Sequence, residues 1–284
     1  MIERASAAEI TEALPLTYRI GVEARRLLGS RGTRFVAGSP LARPLRRVLG
    51  ASAPAGVSMV QVCGGRLQGA RMLIDLSCEK YYWLGTHEPH VQDLLAEIVR
   101  PGMTVYDIGA HAGFFSLLCA RLAGPGGAVH AFEPRAENAD RLRQNAAANG
   151  AEQIAVHSVA LSDSAGEAAF VTHGSTLEGY LAAGGEAADG AVQTDTVDRL
   201  VDAGLPAPEL LKLDVEGAEA LVIRGAARTI AVHRPLLLIE VHFTQAGRDV
   251  VAALPVQYEF TDVETGAVVA PPIPAGHYLA RPAR

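Results

Sequence analysis

The chain has 284 residues, a formal net charge of −6 and a hydrophobic fraction of 49%. This length accommodates one large domain, or one domain with an appendage, and the large apolar share excludes general disorder. The acidic balance argues against a nucleic-acid-binding protein, in which positive charge is concentrated. No integral membrane segment is expected, because no apolar run reaches the roughly 18–20 residues of a membrane helix.

Two residue counts bear on location and on charge pairing. The cysteines, Cys63, Cys78 and Cys119, are too few and too scattered for a disulfide framework or a thiolate metal site, which favours a reduced, cytoplasmic compartment. Lysine occurs only at positions 80 and 212 among 25 basic residues. A lysine inside a motif is therefore unusual in this chain and predicts a specific pairing.

The N-terminal part is predicted to form an extension. Residues 1–55 read as a helical arm with a Gly/Pro/Arg-rich linker, which either caps the domain or contacts a partner or an anionic membrane surface. Residues 57–75 alternate around a Gly-Gly break, which predicts a β-hairpin. We expect an arm and hairpin over residues 1–83, followed by the main domain over residues 84–284.

Strands and helices alternate through the main domain. An amphipathic helix is predicted over residues 91–99. Apolar runs rich in β-branched residues predict strands over residues 104–108, 128–132, 154–159, 210–215 and 236–241. Helices are predicted over residues 114–122, 136–149 and 218–232. Such strands with crossover helices predict an α/β fold, in which helices cover both faces of a mostly parallel sheet.

The remaining segments of the main domain are predicted to be a closing strand pair and a long connection. Residues 257–262 and 277–280 should pair antiparallel. The stretch between Ser162 and Glu209 contains one strand-like piece, residues 168–172, and a Gly/Ala-rich loop. A connection of that length beside the carboxyl edge of a sheet is where substrate contacts are expected.

A glycine loop follows the first predicted strand, in the sequence Asp-Ile-Gly-Ala-His-Ala-Gly-Phe over residues 107–114. A strand, glycine turn and helix in this order form a ligand crevice at the carboxyl end of a parallel sheet. Glu133, at the end of the next strand, can accept hydrogen bonds from both hydroxyls of a ribose. A turn without any ligand is the alternative.

The loop departs from the dinucleotide-binding pattern, which has glycine at the first, third and sixth positions. Here these positions hold Gly109, His111 and Phe114. The last two side chains would obstruct a pyrophosphate and separate the helix from the strand. We therefore predict an adenosine ligand without a pyrophosphate, with S-adenosylmethionine as the obvious candidate.

Charged residues follow the fourth and fifth predicted strands. Because side chains alternate along a strand, Lys212, Asp214 and Glu216 share one side of the fourth strand. Glu240 and His242 share one side of the fifth in the same way. If the two strands are neighbours, their carboxyl ends bring Asp214, Glu216, Glu240 and His242 together in one crevice at the edge of the sheet.

Two chemistries are open for this crevice. The unperturbed pKa of histidine suits a general base, so His242 could remove the proton of a hydroxyl group that accepts a methyl group from the cofactor. Asp214 or Glu216 would then orient or assist His242. Alternatively, Asp214, Glu216 and Glu240 hold Mg²⁺, which prefers oxygen ligands. We favour the metal-free version, because the chain has no compact carboxylate motif of known metal spacing. A purely structural ion pair remains an alternative for Lys212 and for Glu240, since buried charges need partners.

Motifs from about residue 83 to residue 242 together resemble the FkbM-type S-adenosylmethionine-dependent methyltransferases. They are Gly-Thr-His-Glu-Pro at 85–89, the glycine loop, Ala-Phe-Glu-Pro at 131–134, Thr-Val-Asp-Arg-Leu at 196–200, Lys-Leu-Asp-Val-Glu-Gly-Ala-Glu at 212–219 and Glu-Val-His at 240–242. His111 stands where the family usually carries asparagine. The resemblance implies a class I methyltransferase (Rossmann-like) fold, with a seven-stranded sheet of order 3-2-1-4-5-7-6 and an antiparallel last strand.

The resemblance also implies roles for individual residues. The glycine loop would line the methionine part of the cofactor and Glu133 its ribose, whereas Ala160 and Leu161 would lie beside the adenine. Asp107 would shape the loop and interact with the cationic end of the cofactor. The expected cofactor contacts are Asp107, Gly109, Ala110, His111, Gly113, Phe114, Glu133, Ala160 and Leu161. The expected catalytic residues are His242, Asp214, Glu216, Lys212 and Glu240.

The sequence thus predicts an S-adenosylmethionine-dependent enzyme that O-methylates a small hydroxylated natural product, sugar or lipid. The alternatives are a nicotinamide-dependent oxidoreductase on a similar sheet and a non-catalytic binding protein that retains the fold. The expected partner is a small-molecule methyl acceptor, without nucleic acid, and the chain is a candidate homo-oligomer. No metal ligand is assigned, and Mg²⁺ is a possible cofactor that we do not favour.

Overall fold

The computed structural model describes residues 56–172, 179–181 and 188–283. The predicted arm over residues 1–55 lies outside this range. The chain divides into two compact units, Met1–Pro89 and His90–Arg284, while the boundary expected at residues 83 and 84 stays a prediction. Within the described ranges, no helix combines the length and the apolar character needed to cross a membrane.

The first unit contains the predicted hairpin. Strand β1 (Val57–Gln61) pairs antiparallel with β2 (Arg71–Asp75), and alternate residues of β2 are buried. A short helix, α1 (Lys80–Leu84), follows and ends at Gly85, whose left-handed backbone (φ 65°) suits glycine. The hairpin prediction is thus confirmed, with a connection of nine residues between the strands.

The second unit is an α/β domain around an eight-stranded sheet of order β13-β12-β14-β11-β10-β3-β4-β5. Its strands are β3 (Thr104–Ile108), β4 (Ala128–Phe132), β5 (Ile154–His157), β10 (Leu210–Leu213), β11 (Leu236–Val241), β12 (Tyr258–Asp262), β13 (Val268–Val269) and β14 (Gly276–Pro282). The order confirms the predicted class I methyltransferase fold, with β14 antiparallel to its neighbours. The predicted count of seven is one short, because β13 adds a two-residue strand at the edge.

Helices accompany the strands along the chain. They are α2 (Pro89–Ile98), α3 (Phe114–Ala123), α4 (Ala136–Asn149), α5 (Val197–Asp202), α6 (Glu219–Gly225), α7 (Ala227–His233) and α8 (Thr244–Ala253). The single helix predicted over residues 218–232 is wrong, because the chain breaks into α6 and α7 around Ala226, whose φ of −110° and ψ of 8° are not helical.

Two predicted strands are too long. Strand β10 ends at Leu213, because the chain turns sharply soon afterwards, at Glu216 (φ 53°) and Gly217 (φ 101°). Strand β5 ends at His157 because the chain leaves the main sheet there and enters a second one.

The second sheet has four strands in the order β6-β9-β7-β8. They are β6 (Ala160–Leu161), β7 (Gly166–Thr172), β8 (Gly179–Leu181) and β9 (Gly190–Asp195). The sequence predicted only part of β7, since these strands are rich in glycine and alanine and mostly half-exposed. Part of the predicted Gly/Ala-rich loop, residues 173–178 and 182–187, lies outside the described residues.

The two faces of the main sheet differ in composition. On one face, Tyr106, Phe132, Leu211 and Ile239 join a large apolar core with residues of α6, α7 and α8. Residues of opposite parity, such as Ala131, face a smaller apolar cluster on the other side. Asp107 and Lys212 have this second parity, so alternation directs the charged residues away from the main core.

The close packing of α6 on the β6 connection yields a stability prediction. A Cβ on Gly225 would lie 1.9 Å from the carbonyl oxygen of Ser162, whereas a Cβ on Gly126 would meet no atom within 4 Å. Gly225→Ala should lower the free energy of unfolding by about 1–3 kcal/mol, the usual cost of overpacking, although alanine favours helix more than glycine. Urea titration of both variants measures this, and equal stability of Gly225→Ala and the control Gly126→Ala would contradict it.

Candidate active site

A buried lysine lies at the centre of the site. Lys212 on β10 is in register with Asp107 on β3, and its side chain is 4% exposed. Its Nζ lies 3.1 Å from Asp214 Oδ2, 3.6 Å from Asp107 Oδ1 and 4.9 Å from the centre of the Phe115 ring. A buried ammonium is tolerated when opposite charges surround it. Lys212 therefore forms the ion pair that the sequence left open, and its catalytic role stays a prediction.

The two aspartates differ in their surroundings. Asp107 is fully buried, and its Oδ2 accepts a hydrogen bond from Ser116 Oγ at 2.5 Å. Burial raises the pKa of Asp107, against the opposing effects of Lys212 and Ser116. Burial alone would also raise the pKa of Asp214, but the charge of Lys212 and hydrogen bonds from neighbours lower it to about 2. Contact of Asp107 with the cofactor stays a prediction, since its carboxylate faces Ser116 and Lys212 here.

The loop between β3 and α3 is a tight turn with glycine near both ends. Gly109 (φ 82°) and Gly113 (φ 86°) have left-handed backbones, which favour glycine. A Cβ on Gly109 would lie 1.7 Å from the Asp214 carbonyl oxygen, and one on Gly113 would lie 2.6 Å from Leu142 Cγ. Turn geometry and packing thus account for both glycines, and the loop directly contacts the end of β10.

Glu133 joins the loop to the end of β4. Its Oε2 accepts a hydrogen bond from the His111 backbone N–H at 2.9 Å, and its Oε1 accepts from the Arg135 N–H at 3.0 Å. Burial nevertheless raises the pKa of Glu133 to about 7. The anionic form of Glu133 is therefore poorly stabilised in the free protein. Its oxygens still have room to accept a further hydrogen bond.

The other predicted cofactor residues are largely enclosed. Ala110 packs with Ala131 and Leu142 in the smaller apolar cluster, and Phe114 begins α3 with 1% exposure. Ala160 and Leu161 form β6 in the second sheet, and Leu161 joins the main core. Their contacts with a cofactor stay predictions.

His242 lies among four carboxylates just after β11. Its Nε2 is 3.2 Å from Glu216 Oε2, 3.8 Å from Glu240 Oε1 and 3.9 Å from Asp214 Oδ1. Its Nδ1 is 2.9 Å from Glu219 Oε1. The structure therefore brings together His242, Asp214, Glu216 and Glu240, the four side chains for which the sequence predicted a common crevice.

The carboxylates control the charge of this imidazole. Burial would lower the pKa of His242, but the hydrogen bond with Glu219 and the charges of Glu216 and Glu240 raise it to about 9. The imidazole is therefore protonated at neutral pH in the free protein and compensates the surrounding negative charge. It can accept a proton only after it has lost this one.

The turn between β10 and α6 brings Glu216 to the histidine. Glu216 has a left-handed backbone (φ 53°), which is unfavourable for a residue with a side chain. The next residue, Gly217, has a φ of 101°, which favours glycine. A Cβ at this position would also lie 3.0 Å from the ring of Phe243. Phe243 is 51% exposed and directly follows His242.

Sequence reasoning missed two buried polar residues of the site. Glu219, the first residue of α6, is fully buried beneath His242; it stood inside the motif at residues 212–219, but strand alternation gave no role to a residue beyond the turn. Asn145 on α4 donates from Nδ2 to the Ala112 carbonyl oxygen at 2.8 Å and so supports the glycine loop. Nothing in the local pattern distinguished Asn145 from its neighbours.

The cluster also has a composition that suits a cation. Asp214, Glu240 and His242 each offer one ligand atom, and these atoms lie within 4.8 Å of one another. Mg²⁺ usually takes oxygen ligands, and here the imidazole stands among the carboxylates that the Mg²⁺ alternative would use. The metal-free version stays the prediction.

The pairing of Lys212 yields a second prediction. Lys212→Met should lower the free energy of unfolding by about 3–5 kcal/mol, because it leaves Asp107 and Asp214 without their buried partner. Lys80→Met is the matched control, because Lys80 is the other lysine of the chain. Its Nζ donates a hydrogen bond to the Ser77 carbonyl oxygen at an exposed position. A loss below about 1 kcal/mol for Lys212→Met, similar to the control, would contradict the pairing.

The chain is similar to known proteins over the region that contains this site. Residues 107–265, more than half of the chain, match the family described as the methyltransferase FkbM domain. The hexuronic acid methyltransferase AglP of Haloferax volcanii is 28% identical over 176 residues, covering 59% of this chain and 67% of that protein. The 31-O-demethyl-FK506 methyltransferase FkbM of Streptomyces tacrolimicus is 31% identical over 199 residues, covering 58% of this chain and 75% of that protein.

Solved structures include a methyltransferase FkbM from Methylobacillus flagellatus. It superposes with a TM-score of 0.45 at 20% identity, covering 73% of this chain and 51% of that one, about half of its length. The family match confirms the predicted methyltransferase over the alternative of an oxidoreductase, and this family implies S-adenosylmethionine as the methyl donor. The chain belongs to the FkbM family of methyltransferases.

Proposed function

We propose that this methyltransferase transfers the methyl group of S-adenosylmethionine to an uncharged hydroxyl group of a small acceptor. The observation that carries the proposal is the position of His242, whose Nε2 lies among three carboxylates at the carboxyl edge of β10 and β11. The end of β10 also packs against the glycine loop, at Asp214 and Gly109. The proposed base and the glycine loop therefore both adjoin the end of β10.

The residues present fit the cofactor by charge. A sulfonium is a cation, and Asp214, Glu216 and Glu240 supply negative charge around His242, while the Asp214 backbone packs against the loop. Glu133 is a buried carboxylate whose pKa is raised to about 7, so a ribose hydroxyl would stabilise its anion by donating a hydrogen bond in addition to those from His111, Arg135 and Asn138. The loop over residues 109–113 would line the methionine part.

The chain's own groups would position the acceptor and remove its proton. When bound, S-adenosylmethionine supplies an activated methyl group and retains the electron pair of the broken carbon–sulfur bond as a neutral thioether. His242 Nε2 takes the proton that the acceptor hydroxyl loses, and Asp214 and Glu216 stabilise the resulting imidazolium. The ion pair with Lys212 holds the Asp214 carboxylate in place. Alignment of the acceptor hydroxyl with the methyl group contributes much of the rate.

The surroundings of His242 favour an uncharged reacting group. Three carboxylates on the Nε2 side would repel an anionic acceptor at the distances of a reacting atom. Phe243 adds a half-exposed aromatic ring beside the histidine, which suits the apolar face of a ring or chain that carries the hydroxyl.

The names of the relatives support a small acceptor. One is a hexuronic acid methyltransferase and the other a 31-O-demethyl-FK506 methyltransferase, and the second name specifies an oxygen. We propose a natural product, sugar or lipid as the acceptor, with any carboxylate of the molecule held away from His242.

The first test is binding followed by turnover. Isothermal titration should give saturable binding of S-adenosylmethionine, and mass spectrometry over a library of alcohols, sugars and lipids should detect a methyl gain on a hydroxyl. Each neutral sugar is paired with its uronic acid, and each reaction is run with and without EDTA. The absence of binding at millimolar cofactor would overturn the proposal, whereas methylation lost in EDTA would replace the metal-free version.

The second test addresses His242. His242→Ala should lower kcat by about 10²–10⁴-fold, the usual contribution of a general base, with unchanged cofactor affinity. In the unaltered protein, kcat/KM for the cofactor should rise with pH, reach half of its maximum near pH 9 and level off above that, because only the neutral imidazole accepts a proton and its pKa is about 9. The control is His233→Ala, an exposed histidine on α7. Near-normal turnover of His242→Ala would exclude His242 as the base.

A further inference from the structure

Glu219 is a fully buried acid for which the proposed reaction has so far no use. Its side chain is 0% exposed, and its Oε2 has no hydrogen-bond partner within the described part of the chain. A buried carboxylate is costly unless a positive charge or hydrogen-bond donors compensate it. Its contacts should therefore reveal what it does.

Both contacts of Glu219 are made by one oxygen. Oε1 lies 2.9 Å from His242 Nδ1 and accepts a hydrogen bond from the Gly217 backbone N–H, also at 2.9 Å. The first contact concerns the imidazole, and the second concerns the turn that carries Glu216. The two contacts correspond to two different roles for Glu219, in positioning the histidine and in holding the turn.

The contact with His242 fixes where the imidazole carries its hydrogen. An ionised carboxylate only accepts hydrogen bonds, so Nδ1 must donate. The other carboxylates lie on the opposite side of the ring, at 3.2 Å for Glu216 and 3.8 Å for Glu240 from Nε2. With Glu219 ionised, a neutral ring would therefore carry its hydrogen on Nδ1 and its lone pair on Nε2.

We propose that Glu219 is a positioning residue, which holds the neutral His242 as the Nδ1–H tautomer so that Nε2 takes the acceptor proton. The role rests on the proposed function, because it assigns an orienting partner to the proposed base. The logic is that of a carboxylate–histidine pair, in which the acid orients the imidazole and stays ionised. Glu219 exchanges no proton itself and does not touch the acceptor.

A double-mutant cycle separates this role from support of the turn. Glu219→Met removes the acceptor oxygen at similar volume and should lower kcat by about 100-fold, with less than about threefold change in cofactor affinity. Glu219→Gln retains an oxygen at the same place and should restore most of kcat. In the His242→Ala background, Glu219→Met should cause no further loss, because its effect passes through the imidazole.

The outcomes of the cycle are exclusive. An equal loss in both backgrounds, or a large loss of cofactor affinity, would mean that Glu219 supports the turn, and it would overturn the proposal. Circular dichroism and thermal unfolding of each variant establish that the protein tested is folded. If Glu219→Met does not fold, the tautomer of His242 in the unaltered protein, measured in the spectroscopic test below, decides the question.

The spectroscopic test needs no acceptor. Nitrogen NMR of the ¹⁵N-labelled imidazole at about pH 10.5, above the His242 pKa of about 9, distinguishes the two neutral tautomers. The unaltered protein should have Nδ1–H, and Glu219→Met should shift the ring toward Nε2–H. Glu216→Gln is the matched control, since it removes a carboxylate from the Nε2 side and should leave Nδ1–H in place.

The two proposals can therefore fail separately. Nε2–H in the unaltered protein, or the same tautomer in Glu219→Met, would overturn the role of Glu219 whatever the enzyme methylates. Nδ1–H with no turnover on any hydroxyl acceptor would instead overturn the proposed O-methylation.

Discussion

One buried ammonium determines where the charges of this sheet can lie. Lys212 stands in the middle of an apolar strand, between Asp107 of one neighbouring strand and Asp214 at the end of its own. Each carboxylate would be unfavourable there without the lysine, and the lysine without them. Because Ser116 of α3 donates to the same Asp107, this ion pair also ties a helix to the sheet. The positions of the glycine loop and of the end of β10 both depend on it.

The balance of charge is different around the histidine that follows β11. Around His242, carboxylates outnumber cations, and the raised pKa of the imidazole is the direct consequence. Excess negative charge in a crevice favours the binding of a cationic ligand, and a sulfonium is a cation. The same charge would restrict the acceptor to groups that bring no further negative charge. In the proposed reaction, affinity for the donor and selection of the acceptor would thus have one electrostatic origin.

The sequence predicted the central sheet well, because buried strands such as β3, β4 and β11 are unbroken apolar runs with clear ends. It missed most of the second sheet, because glycine and alanine in β7 and β9 give no apolar alternation. Alternation also brought the residues of β10 and β11 to one crevice, since it follows from strand geometry alone.

The limits of the sequence lie at the turns. Glu219 escaped prediction because its direction depends on the left-handed turn at Glu216 and Gly217, and glutamate rarely adopts that conformation. The close packing of Gly225 on Ser162, which is far away in the chain, also escaped prediction. Such features follow from tertiary contacts, which local propensity does not contain.

The exposure of Phe243 bears on how such an enzyme can diversify. Its ring lies over Gly217 and outside the apolar core, although the preceding residue is the histidine of the site. A change of side chain here removes little buried area and leaves the sheet, Lys212 and the glycine loop untouched. If the proposed acceptor lies against this ring, residue 243 is a position where a single substitution would change the acceptor surface at little cost in stability.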